Sequence, residues 1–169
     1  MKTLRSSSVL TLLAFSCFFI LGAGRIGGNG EQYHTAMALE FAHAADYAKA
    51  LYNQTLVPSN IDRKLAGSYF ERIGQSLETA RTLHAFVHKS YTSAQEKEIS
   101  KDHEAFLNAH TNALEAFKDL KAVFAKESLD VEKVKTLSAK IFAETYKAVV
   151  IHKEILKKLS IPEAQTPVS

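Results

Sequence analysis

The sequence predicts an all-α protein, a single antiparallel four-helix bundle of up-down-up-down topology. Apolar residues recur in alternating steps of three and four through four long segments, the spacing of bundle packing. Apart from Gly67 and Gly74, every glycine and proline lies outside those segments. The connections between segments are short, which pairs successive helices antiparallel. No strand alternation, internal repeat or low-complexity stretch competes with this pattern.

The first segment, about Glu31 to Tyr52, carries the seam His34, Met37, Phe41, Ala44, Ala48 and Leu51. The second, about Ile61 to Ser90, carries Ala66, Phe70, Ile73, Leu77, Ala80, His84, Val87 and the flanking Tyr91. The third, about Ala94 to Lys126, carries Ile99, His103, Phe106, His110, Ala113, Phe117, Leu120 and Phe124. The fourth, about Val131 to Leu159, carries Ile141, Thr145, Ala148, His152, Ile155 and Leu159. Pro58 introduces the second helix, with Ser59 or Asn60 available as its N-cap. Ser93 and Glu96 have capping-box spacing before the third, and Ser128 or Asp130 can cap the fourth, which Pro162 ends.

The ends are expected to lie outside the bundle. Lys2 and Arg5 precede an apolar run from Val9 to Leu21, and Gly22, Ala23 and Gly24 supply small residues for cleavage. Residues 1–24 therefore read as an export signal, short for a membrane-spanning helix of roughly 20 apolar residues, with an uncleaved anchor as the alternative. Residues 25–30 are expected to be a flexible leader, 31–160 the bundle and 161–169 a tail. Cys17, the only cysteine, lies within the signal. The apolar run continues past it through Phe18 to Leu21, which argues against lipid attachment there, and cleavage after Gly24 leaves a chain without thiols. Disulfides, thiolate metal sites and thioether-linked haem are then excluded. A periplasmic location is expected. Asn53-Gln54-Thr55 is a glycosylation sequon, relevant only in a eukaryotic secretory route.

Removing Lys2 and Arg5 leaves 19 of 21 basic residues against 18 acidic ones, a net charge of about +1. Neither a nucleic acid nor an anionic membrane surface is implied, and the Lys-rich runs 118–126 and 153–158 read as solvated helix faces. No cysteine nucleophile, glycine-framed serine or phosphate loop is present, so an enzyme is not expected. Homodimerisation or another protein partner stays open.

Five of the seven histidines fall on seam positions: His34, His84, His103, His110 and His152. Buried imidazoles need partners, and several converging inside one bundle point to a metal ion or haem. With turn centres near Leu56, Ser93 and Ser128, His84, His103 and His152 fall within roughly 3 Å of one height. His34 and His110 then lie roughly 9 Å deeper. Three histidines with a vacant fourth position suit zinc, and imidazole also suits copper, nickel and cobalt. Glu78, Asp102 and Glu144 are the carboxylates in register with them, and His88 is peripheral. The structural reading of equal weight is that the histidines fill polar layers, bonded to Thr145, Tyr33, Tyr91 or water.

Haem b held between helices is the other cofactor considered, with His34 and His110 or His84 and His152 as axial pairs. Small seam residues Ala44, Ala80, Ala113 and Ala148 would leave room for it. In outline, an exported bundle with Met37 near its start and His152 near its end resembles the soluble b-type cytochromes. The register places these two about 10 Å apart in height, too far for one iron. Gly67 and Gly74, where glycine costs about 1 kcal/mol against alanine, read as points of close helix approach. Glu40 and His43 have the Glu-x-x-His spacing of di-iron bundles but lack a second copy, and read as a solvent-side pair. The expected function is binding of a transition metal for sensing, buffering or transport, with a haem-binding electron-transfer bundle or a metal-free helical binding or stress-response module as the alternatives.

Overall fold

A computed structural model describes residues 30–57 and 61–161. They form four helices: α1 (Glu31–Gln54), α2 (Arg63–Ser90), α3 (Ser93–Phe124) and α4 (Val131–Lys158). The chain is an all-α four-helix bundle, with no strand among the described residues. None of the described helices is long and apolar enough to cross a membrane. The export signal, Cys17, Gly27, Gly28 and the residues from Pro162 onward lie outside the described residues.

The seams are buried as the periodicity requires. Phe41, Leu51, Ile73, Leu77, Leu120 and Ile141 are fully enclosed, each contributing about 1.5–3 kcal/mol of transfer free energy. Helix α1 packs closely on α2 and α4, and α3 on α4, but the α2 and α3 backbones approach each other in few places. Rings fill the space between them. Phe70 stacks on Phe117 at 5.0 Å and on Phe124 at 4.7 Å, and further along His84 stacks on His103 and Phe106.

That packing explains one of the two helical glycines and corrects the reading of both. A Cβ at Gly74 would sit 2.5 Å from Cζ of Phe117, so the missing side chain clears a ring and does not admit a backbone. A Cβ at Gly67 would meet nothing within 4 Å. Gly67→Ala should therefore stabilise the bundle by about 0.5–1 kcal/mol through helix propensity. Gly74→Ala should destabilise it by about 1–3 kcal/mol through overpacking. Thermal melts of the two variants should shift in opposite directions.

The caps of α2 and α3 differ from expectation by small slips, and that of α4 is one of the two expected. Asp62, not Ser59 or Asn60, caps α2, its Oδ1 accepting from the amides of Lys64 and Leu65; 58–60 lie outside the described residues. The capping box before α3 is Thr92 with Gln95, one residue ahead of Ser93 and Glu96. Asp130 caps α4 by accepting from the Lys133 amide. Arg63 donates to the carbonyls of Lys126 and Glu127 just past the end of α3, tying the two helices together at that end.

Candidate functional site

Four of the five seam histidines meet in pairs, one pair on each side of the bundle. His34 of α1 and His152 of α4 are joined Nδ1 to Nε2 at 2.9 Å. His84 of α2 and His103 of α3 are joined Nε2 to Nε2, also at 2.9 Å. In a neutral pair one nitrogen donates and the other accepts, so each bond uses one proton and one lone pair. The first pair is enclosed, both residues being only 1% exposed. The second is half-buried. The Phe106 ring lies between them, 5.4 Å from His84 and 6.1 Å from His152.

This grouping departs from the one the sequence predicts. His152 bonds to His34 and not to His84 or His103, and His34 stands level with it instead of deeper. The cause is the first connection. Its midpoint, between Gln54 and Arg63, lies two to three residues beyond Leu56. That shifts the level of His34 by about five residues of the facing helix, roughly 7 Å. The same shift narrows the height gap between Met37 and His152 to about 4.5 Å, because Met37 follows His34 by three residues.

His88, read from the sequence as peripheral, belongs to the open pair. Its ring centroid lies 5.2 Å from that of His103 and 6.2 Å from that of His84, while His84 and His103 are 5.2 Å apart. Three imidazoles on one tetrahedral ion, with metal–nitrogen bonds of about 2.0–2.1 Å, have centroids roughly 5 Å apart. His88 Nε2 is also 3.7 Å from Glu96 Oε1, a carboxylate placed by the first turn of α3. As they stand, no three His, Cys, Asp or Glu side chains among the described residues are already converged on a metal position.

His110 belongs to neither pair. It is 4% exposed, meets Phe41 edge-on at 5.0 Å and keeps its Nε2 buried without a hydrogen-bond partner. The proposed axial pair His34 and His110 is therefore not set across an open gap, and a haem at this level would have to displace Phe41 and Phe106. Of the carboxylates in register, Glu78 is held by Arg81 at 2.6 Å and Asp102 by Lys158. Glu144 keeps one buried oxygen without a hydrogen-bond partner. Thr145 donates to the carbonyls of its own helix, Ile141 and Phe142, and serves no histidine. Tyr33 stacks on Phe86. Glu40 and His43 form the solvent-side pair expected, 3.9 Å apart.

Burial sets the protonation of the cluster. Desolvation lowers His34 to a pKa of about 4. Burial, followed by the neighbouring His34 and His84, lowers His152 to about 3. Burial, with smaller effects from His103, His110, His88 and His34, lowers His84 to about 4. His103 falls for the same reasons, burial first and His88 second, partly offset by Glu96. His110 is lowered by burial, and the Leu77 carbonyl opposes the shift. All five are neutral at pH 7 and carry lone pairs fit for a metal. Comparisons with protein-family models, with curated proteins and with solved structures give no match to this chain.

Proposed function

We propose that this bundle binds a borderline divalent transition-metal ion, zinc or copper(II) before nickel or cobalt, at the open α2–α3 seam. The ligands are His84, His103 and His88. The observation that carries the reading is the triangle of three imidazoles with centroids 5.2, 5.2 and 6.2 Å apart. Only modest motion is required. The nitrogens of His84 and His103 must part from 2.9 Å to about 3.3 Å, the separation of two ligands on a tetrahedral ion. His88 must turn about its exposed side-chain bonds. With Nδ1 on the ion, its Nε2–H can donate to Glu96, a carboxylate–histidine–metal arrangement that orients the ring and raises its basicity. Water takes the fourth position.

The basic and apolar pattern of residues 1–24 supports an exported protein, so the role is sensing, buffering or carrying metal outside the cytoplasm, and binding instead of catalysis. The test is elemental analysis of protein purified without tag or chelator, followed by calorimetric titration of the metal-free form with zinc. One ion per chain is expected. Protein that neither carries such an ion nor takes one up would overturn the reading.

A further inference from the structure

The enclosed pair is not used by that site, and it has a property the open pair lacks. Whichever way the single proton between His34 and His152 points, the two outer nitrogens, His34 Nε2 and His152 Nδ1, remain buried without a hydrogen-bond partner. The two inner nitrogens, His34 Nδ1 and His152 Nε2, are therefore the ones that can face a common ion. The ring faces against the pair are those of Tyr91 at 5.6 Å and Phe106 at 6.1 Å, both uncharged. On α1, Met37 lies three residues after His34, on the same helix face, and is itself 1% exposed. Helical side chains lean toward the N-terminus, which directs the Met37 thioether back toward the turn that carries His34.

We propose that His34, His152 and Met37 form a second, interior site whose ligand is copper(I). Two neutral imidazoles and a thioether are the donors that a soft, low-coordinate ion selects over zinc. Charge decides in the same direction. With no anionic donor and no solvent, a divalent ion would leave two uncompensated charges in an apolar setting, a monovalent ion only one. Binding replaces the single shared proton with two lone pairs on the metal, each ring taking the tautomer that presents one. The site goes beyond the zinc or copper(II) reading and does not depend on it, because it shares no ligand with it.

The test is anaerobic titration of the full chain with copper(I), in competition with a chromogenic copper(I) chelator, and X-ray absorption of the loaded protein. Cys17→Ser is carried throughout, so that Met1 and Met37 are the only sulfurs. Sulfur in the copper coordination shell is expected in this background. It should persist in His103→Ala and vanish in Met37→Leu, with affinity weakened at least tenfold there. Leucine matches methionine in volume, so that variant keeps the fold. His152→Ala should abolish the interior site. A copper shell of nitrogen alone in the starting protein, or sulfur that survives Met37→Leu, would overturn the proposal. Either result leaves the zinc titration to be judged separately.

Discussion

Replacing His103 with alanine is expected to weaken zinc or copper(II) binding by at least 100-fold while leaving the helical content intact. His103 is the vertex of the open cluster: its ring lies 5.2 Å from both His84 and His88, which are 6.2 Å from each other. Without it two ligands remain on one helix, and the third coordination bond has no substitute within reach. For comparison, loss of a group that only orients a ligand costs about 10–100-fold in metal affinity. Glu96→Gln, which keeps the shape but loses the charge beside His88, should therefore cost about tenfold. The fold tolerates the larger change because His103 is half-buried and forfeits one hydrogen bond, worth about 1 kcal/mol net. His43→Ala, on the solvent side beside Glu40, should leave affinity unchanged. Calorimetry on the three variants reads all of this, and an affinity in His103→Ala equal to that of the unaltered protein would remove the three-histidine site from consideration.

The helices were legible because burial imposes its period on the sequence directly: a position on the seam must be apolar or partnered, and His34, Phe41, Phe106 and Ile155 all comply. Local punctuation was less so. Thr92–Gln95 and Ser93–Glu96 have the same capping spacing one residue apart, and only backbone geometry separates them. The pairing of histidines was hidden for a different reason. Height in a bundle accumulates from connection lengths, and the first connection carries the true midpoint past Leu56 far enough to exchange the partner of His152. His88 was ranked only as peripheral because it is exposed and off the seam, although His84-x-x-x-His88 places both rings on one helix face, a spacing that suits a shared ion. Glu96 could not be seen at all without the fold, since it reaches His88 across the turn between α2 and α3. The role of Gly74 depends likewise on Phe117, a residue of another helix.

Acid should begin to destabilise the metal-free protein near pH 6.5, above the pH at which carboxylates protonate. His34 and His152 titrate at about 4 and about 3 in the folded state, against about 6.5 in an unfolded chain. Between those limits the unfolded state binds more protons, so stability falls as pH drops. The contribution is fully present above pH 6.5 and is lost progressively as pH falls from there through the folded-state values. A tenfold difference in proton affinity between the two states is worth about 1.4 kcal/mol. With allowance for their coupling, the pair accounts for a few kcal/mol, a substantial share of the roughly 5–15 kcal/mol that holds a domain together. Urea midpoints measured at pH 7.5 and pH 5 should differ accordingly, with at least about half of the loss already present at pH 5. The histidine pair is distinguished from general acid sensitivity by the double variant His34→Phe, His152→Leu. Exchanging both members of a buried polar pair for apolar side chains is close to neutral at pH 7. It removes both titrating groups, so the gap between the midpoints should narrow, with a remainder from His84, His103 and His110, which burial also lowers. If the variant loses stability between pH 7.5 and 5 as steeply as the unaltered protein, the acid response originates elsewhere.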